Sequence, residues 1–430
     1  MVFAPAVRYP WHDKKERALT ASKENEGKGA ASGPLAGLRV VDLTSVVFGP
    51  YATQIMADMG ADVIKVEPPE GDNTRWITEG PVPGMGGIYV NVNRGKRGVT
   101  LDLRQEQDRD VLRRLIATAD VFIHSMRGSA IRKLGFDYEA VRAIRPDIVY
   151  TNCYGYSRRG PEGDKPAYDD TIQAECGIPH VQGLMNGEPG YVATIMADKV
   201  AGLHALYATM MALYHRERTG GRGAGEGQEV EVTMFEAMTS FMLVEHANGA
   251  MFTPPTTPAH YHRAVEPNRR PYRTRDGYVA ALVYNDKHWN AFVESVQPEW
   301  ARGELGEEFS TLEKRARQIG RVYGLLGETF LTRTTQEWLD TLRGLHIPCA
   351  PLRSTDALFD NAHLNAIGFF EEVETAQGPV RFPGVPTWFS ATPGKVRGPA
   401  PTLGQDNEAV LGELTPEGSS VAPAIAVDSK

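Results

Sequence analysis

The first 160 residues predict an α/β chain with a doubly wound parallel sheet, on three observations. Short β-branched runs alternate with helix-forming stretches. The first strand, helix and strand fit into under thirty residues, the spacing of a parallel βαβ unit. The alternation carries on to about residue 160, and a later proline-rich stretch, Met251–Pro271, reads as a linker into a second domain.

Order begins at Leu38. Arg39–Leu43 (RVVDL) reads as the first strand, Thr44–Pro50 as a loop, Tyr51–Met59 as a helix ended by Gly60, and Asp62–Val66 (DVIKV) as the second strand. Val99–Leu103 is the next strand, Asp108–Ala119 a helix, Asp120–His124 a strand, Ser129–Ile144 helical pieces, and Asp147–Asn152 a strand. Asp198–Arg218 is a long helix. In it Val200, Leu203, Leu206, Tyr207, Met210, Met211 and Tyr214 recur at spacings of three and four, giving one apolar stripe. Gln228–Met234 is a strand. After the Pro-rich stretch come a strand at Tyr278–Tyr284 and helices at His288–Ser295, Gln318–Leu331 and Thr335–Leu345.

The 430 residues suit two or three domains. Acids outnumber bases, 54 to 46, so the net charge of -8 repels a phosphate backbone and argues against nucleic acid as a partner. No apolar run approaches the roughly 20 residues of a membrane-spanning helix, and no membrane partner is expected. Three scattered cysteines (Cys153, Cys176, Cys349) fit a reducing, cytoplasmic setting, not a disulfide framework. Residues 1–34 read as a leader without a fold and 414–430 as a flexible tail, since Thr20–Gly33 is small, polar and Gly-rich.

Glu67 closes the second strand where a ribose-binding acid would sit, but the turn before it (Val46-Val47-Phe48-Gly49-Pro50-Tyr51) holds one glycine where a dinucleotide fingerprint needs three. No phosphate-binding P-loop, no H-E-x-x-H and no G-x-S-x-G elbow occurs. His260 and His262 read as loop histidines, Cys153 as a small buried residue, and no metal is expected. Asp198 stands where an irregular segment becomes the long helix. It reads as an ordinary N-cap or as a reactive group, and a helix N-terminus favours its ionised form in either case. Asp169 and Asp170 read as caps. Two basic clusters, Asn93–Arg97 (NRGKR) and Arg269, Arg270, Arg273 and Arg275, suit a small polyanion or a solvated face.

An ordered set of motifs gives these residues a context. Leu35–Leu43 (LAGLRVVDL), Gly49-Pro50, Ala57–Glu67 (ADMGADVIKVE), Gly71-Asp72, Asn93–Asp102 (NRGKRGVTLD) and Ala119–Ile123 (ADVFI) are followed by Leu134-Gly135 and Tyr154–Pro161. Then come Ala197–His204 (ADKVAGLH), Arg216–Gly220 (RERTG), Ile347–Leu352 (IPCAPL) and Leu403-Gly404. Together they resemble the class III CoA-transferase family, the formyl-CoA and carnitine CoA-transferase type that also includes α-methylacyl-CoA racemases. The similarity runs from about residue 35 to 413.

The resemblance implies a Rossmann-like large domain with a parallel sheet, over 35–225 and 353–413, and a smaller α+β domain over 272–352. Residues 226–271 would supply a strand, a helix and the Pro-rich linker. Two such chains would interlock as a homodimer. It places the catalytic aspartate in an A-D-x-x-x-G segment, here Asp198 in Ala197–Gly202. No cofactor would be permanently bound. CoA thioester is the substrate, and the partners are an acyl-CoA and a small carboxylic acid or dicarboxylate. Asp198 would attack the thioester and pass through a mixed anhydride and an aspartyl-CoA thioester. Val46, Val47 and Phe48 match residues at the pantetheine arm. Leu101–Arg104 (including Leu101 and Arg104) and Ser125–Arg127 (Ser125, Met126, Arg127) match the CoA groove. Lys133 matches a phosphate contact, and Asp169 an acid near the reacting centre. Val47 and Phe48 stand where formyl-CoA transferase has a polar residue and an alanine, which argues against oxalate or formate as the natural acid. The racemase branch reads G-H-D where this chain has Ala167-Tyr168-Asp169, so Tyr168 argues against a racemase. A CoA-binding subunit without activity is the third reading, and the presence of Asp198 argues against it.

Overall fold

The computed structural model describes residues 32–414, so the expected leader and tail lie almost wholly outside the described residues. Two compact units result: 32–166 with 198–234 and 368–414, and 167–197 with 235–367. Among the described residues no helix is long and apolar enough to cross a membrane.

Six parallel strands organise the larger unit: β1 (Arg39–Leu43), β2 (Asp62–Glu67), β3 (Arg97–Thr100), β4 (Val121–His124), β5 (Val149–Tyr154) and β6 (Gln228–Thr233). Their order is β3-β2-β1-β4-β5-β6. Val40 pairs with Val63 on one side and Val121 on the other, and all three are buried, as a parallel sheet covered on both faces requires. The order reverses between β1 and β4, which leaves a crevice beyond the carboxyl ends of those two strands.

The helix predicted from Tyr51 starts at Phe48 and ends at Asp58. Gly49 and Pro50 lie in its first turn, where proline's missing N–H has no intrahelical partner to lose. The strand predicted at Val99–Leu103 is instead Arg97–Thr100.

The long helix spans Met196–Arg218, and its predicted apolar stripe does not form its packed face. Leu203, Tyr207, Met211 and Tyr214 are exposed, while Ala201, Gly202, Ala205, Thr209 and Ala212 are buried. Close approach to the sheet explains the reversal. Thr209 Oγ1 lies 2.8 Å from Thr151 Oγ1 of β5, and a Cβ placed on Gly202 would come within 2.8 Å of the Phe48 carbonyl oxygen. Only small residues fit there, so the large ones point away. At the far end the buried Arg216 pairs with Asp120, just before β4, at 3.0 Å.

The smaller unit holds an antiparallel sheet of β7 (Tyr272–Arg273), β8 (Tyr278–Ala281) and β9 (Cys349–Pro351), in the order β7-β8-β9. Helices Asp286–Val296, Ile319–Phe330 and Thr335–Gly344 lie close to the predicted spans. Trp289, Phe292, Phe330 and Trp338 form the centre of its core, each stabilising the unit by about 1.5–3 kcal/mol through burial. Thr334 and Glu337 cap the last of these helices reciprocally. Two helices at Asp169–Glu175 and Ile178–Asn186 were not predicted, being short and without a long apolar period.

The chain then returns to the larger unit as a hairpin of β10 (Phe370–Val373) and β11 (Val380–Pro383). The following segment lies along the outer edge of β3. Gly98 N–H donates to the Asp406 carboxylate at 2.7 Å, Thr100 N–H to Asn407 Oδ1 at 2.9 Å, and Gly95 N–H to the carbonyl of Pro399 at 3.0 Å. These bonds cover an edge strand that would otherwise present free donors.

Gly202→Ala tests the close approach. Helix propensity alone favours alanine by about 1 kcal/mol. The clash with the Phe48 carbonyl should instead lower stability by roughly 1–3 kcal/mol, read as a lower denaturant midpoint. An unchanged or raised midpoint would show that the helix stands further off.

Candidate active site

Two loops leave the point where the strand order reverses: residues 44–47 after β1 and 125–127 after β4. They touch directly, with Ser45 N–H donating to Ser125 Oγ at 3.0 Å. Val46, between them and the helix Phe48–Asp58, has φ +67°. A β-branched residue in the left-handed region is strained, by about 1–3 kcal/mol, and persists only where its surroundings impose it. Val47 and Phe48 are buried and support the loop, whereas Ser45 is exposed and Val46 and Ser125 are half-buried. No side chain caps the helix start at Phe48, so its first N–H groups favour an anion.

A buried lattice of charges imposes that loop. Val46 N–H points at the Asp72 carboxylate, 3.2 and 3.3 Å from its two oxygens. Asp72 also accepts from the Thr74 N–H at 2.9 Å and the Lys65 ammonium at 3.0 Å. Lys65, wholly buried, donates in turn to the Thr44 carbonyl at 3.0 Å, inside the same loop. Burial acts against its charge, but Asp72, Asp42 and Glu67 outweigh it and keep its pKa raised. Next to it, Asp42 pairs with Lys96 at 3.0 Å and accepts from the Thr53 hydroxyl at 2.6 Å. Burial alone would raise the Asp42 carboxyl. The Lys96 and Lys65 ammoniums and the Thr44 and Thr53 hydroxyls overcome it and hold it at about 2. Burial pushes Lys96 down to about 8, so it remains an ammonium at neutral pH, with Pro50 O and Asn93 Oδ1 as its other acceptors.

This lattice corrects two expectations. Glu67 is no ribose ligand: it is buried, paired with Arg75 at 2.7 Å, and accepts the Asp72 N–H at 2.8 Å. Nor is Asn93–Arg97 a basic patch. Arg94 pairs with Asp58 at 2.7 Å, Lys96 with Asp42, and Arg97 with Asp62 at 2.7 Å, so these cations hold the unit together. Such pairing is invisible in a run of basic letters, because the acids come from β1, β2 and the first helix. In the smaller unit Arg270 bonds the Pro267 carbonyl and Arg275 pairs with Glu337 at 3.2 Å. Cys153 is buried, and burial pushes its thiol pKa up, as expected of an inert thiol.

The remaining predicted positions divide by element. Leu101 is buried just past β3, and Arg104 is exposed beside it, held by the Asp102 carboxylate at 2.7 Å. Met126 is half-buried against the core. Arg127 and Lys133 are exposed at the two ends of the short helix Gly128–Lys133. Leu101, Arg104, Met126 and Arg127 follow the carboxyl ends of β3 and β4 in the one sheet, and Lys133 ends the helix after β4. Asp198 is the third residue of the long helix, not its N-cap, and is 9% exposed. Gly202, four residues on and therefore on the same helix face, meets Phe48, so Asp198 sits about 6 Å along the axis from that contact. The Gly202 contact thus ties the turn that holds Asp198 to the start of the helix that follows the crevice loop. Asp169 belongs to the other unit, where it is buried as the first residue of Asp169–Glu175 and accepts from Gln173 Nε2 at 2.5 Å.

The profile of CoA-transferase family III matches residues 35–407. The chain is 30% identical to a succinate–glutarate CoA-transferase of Agrobacterium fabrum, covering 89% of this chain and 96% of that protein. It is likewise 30% identical to a succinyl-CoA:mesaconate CoA-transferase of Haloarcula marismortui, over 89% and 96% of the two chains. Among solved structures it is similar to a CAIB/BAIF family protein from Brucella suis. The TM-score is 0.74 at 31% identity, covering 89% of this chain and all of that one.

The lattice predicts an acid limb. Because the Asp42 pKa is lowered on folding from 3.8 to about 2, its contribution is fully present above about pH 4 and lost as pH falls toward 2. Lys96→Met removes its main partner and should cost roughly 3–5 kcal/mol at neutral pH. Denaturant unfolding across pH measures both. A variant as stable as the wild type would mean that Asp42 is not held by this pair.

Proposed function

The chain belongs to CoA-transferase family III and is a CoA-transferase, and we propose that it exchanges CoA between an acyl-CoA and a dicarboxylic acid through Asp198. The observation that carries the role of Asp198 is its position. It is a largely buried carboxylate in the first turn of a long helix, one turn from the contact with Phe48 at the end of the crevice loop. The helix N-terminus favours its ionised form, which is the nucleophile, and burial strips it of competing water.

An Asp198 oxygen attacks the thioester carbonyl and expels CoA thiolate, leaving a mixed anhydride. The thiolate attacks the aspartyl carbonyl, releasing the donor as a free carboxylate and forming an aspartyl-CoA thioester. The acceptor carboxylate attacks that thioester, and the returning thiolate takes the acceptor's acyl group and frees Asp198. No redox change occurs and no net proton is consumed. In this reading the loops of Val46 and Ser125–Arg127 border the CoA groove, and Lys133 supplies a cation for a phosphate. A dicarboxylate acceptor is favoured because the relatives described above are named for succinate, glutarate and mesaconate.

An interlocked homodimer belongs to the same proposal. Leu203, Tyr207, Met211 and Tyr214 form an exposed apolar face along the long helix, and Val244, on the helix Met234–His246, is 82% exposed. A monomer rarely leaves such a stripe in water. Sedimentation at micromolar concentration should show only dimer, and a folded monomer there would overturn this part.

Asp198→Asn keeps the size of the side chain and should fold normally while losing roughly a thousandfold or more in kcat. Wild-type protein given succinyl-CoA without an acceptor should yield a hydroxylamine-trapped adduct on the peptide containing Asp198. Mass spectrometry of CoA esters formed from a panel of mono- and dicarboxylic acids then identifies the acceptor. Retained turnover in the variant, or an adduct on Asp169, would refute the mechanism, and exclusive use of monocarboxylates would refute the substrate class.

A further inference from the structure

We propose that the smaller unit carries its own binding site for a small organic anion, a carboxylate on a short apolar body, held by Arg263. A cavity of about 180 Å³ lies wholly within this unit, bordered by the Tyr261–Arg263 segment, the end of β8 and residues 312–323. Leu282, Ile319 and the ring of Tyr284 give it apolar walls, and no acidic side chain lines it.

Arg263 is half-buried at this cavity. Its Nε donates to the Tyr323 hydroxyl at 2.8 Å, the Tyr261 hydroxyl also hydrogen-bonds the guanidinium, and its carbon lies 4.6 Å from the Tyr284 ring centroid. Among the described residues no carboxylate pairs with it. Glu266, the next acid along the segment, turns its carboxylate to the Asn268 N–H at 3.2 Å. A second guanidinium, Arg315, also lines the cavity and is 2% exposed. Asp286 meets one of its terminal nitrogens at 2.5 Å, while its Nε is buried with no hydrogen-bond partner.

Two guanidiniums therefore face one carboxylate. Burial works against the Arg263 charge, but the Tyr323 and Tyr261 hydroxyls outweigh it, so the guanidinium stays charged while no carboxylate neutralises it. The two phenols engage two of its five N–H donors and leave the others for an anion. The walls are too apolar for a bare polyanion, which would lose hydration there without recovering it. A monocarboxylate with a short alkyl chain or one ring satisfies both halves of the site.

Calorimetric titration of the full-length protein with hexanoate tests this, with hexanol and sulfate as probes that lack one half each. Hexanoate should bind saturably with a Kd on the order of 1 mM, and neither control should. Arg263→Gln should weaken binding by roughly tenfold or more. Ala316→Phe, which fills the cavity from its exposed wall, should do the same if the first variant folds poorly. Arg263→Gln should retain CoA transfer, so this result is read independently of the transfer mechanism. Equal binding by wild type and both cavity variants would place hexanoate elsewhere and overturn the proposal. So would the absence of binding by wild type, as when a segment of a second copy fills the cavity.

Discussion

Lys65 holds the larger unit to its shape. Its ammonium, without water around it, is divided between the Asp72 carboxylate and the Thr44 carbonyl, and through them it joins the β2 strand to the loop that follows β1. A buried pair of this kind adds little net stability, since desolvation offsets most of the attraction. Its value is geometric. Asp72, already committed to Lys65 and Thr74, has lone pairs left in one direction, and Val46 N–H is there. The backbone takes a left-handed turn at a residue that would otherwise avoid it, and the helix behind begins with uncapped donors.

That turn fixes more than itself. Phe48, two residues on, presents the carbonyl against which Gly202 packs, so the placement of the long helix depends on where the loop puts that oxygen. Thr209 on Thr151 and Arg216 on Asp120 pin the same helix further along. With three points of attachment its first turn has little freedom, and Asp198 is in that turn. Precise placement matters for a carboxylate nucleophile, because misplacement by about 1 Å costs on the order of a hundredfold in rate.

Strands β1 and β2 were legible in the sequence because parallel strands covered on both faces are mostly apolar, and RVVDL and DVIKV have few other readings. The helix at Phe48 was placed late because Gly49 and Pro50 are loop residues by habit, and only the first-turn exemption admits them. The long helix was found but its faces were misread. Large apolar residues mark a packed face when the neighbour is distant, whereas here the neighbour is close and selects Ala201, Gly202 and Ala205. Asp198 was legible only through its motif, since composition and spacing gave it nothing beyond capping. Lys65, Asp72 and Lys96 went unread as a site scaffold because their partners are separated by as many as 54 residues, and pairings of that kind leave no local signal.

The edge of β3 carries a consequence for how the chain is made. Gly98 donates to Asp406, 308 residues later. At a synthesis rate of roughly 5–20 residues per second, about 15–60 s separate the appearance of the donor from that of its acceptor. The last strand of the sheet, β6, ends at Thr233, 173 residues before Asp406, so for about 9–35 s the sheet can exist with an open edge while residues 235–367, which form their own core, emerge and can collapse. The larger unit thus gains the cover of its β3 edge after the residues of the smaller one have been made. A ribosome paused near residue 380 would therefore hold a nascent chain in which the β3 edge still lacks its cover, and the finished fold bears no trace of that exposure.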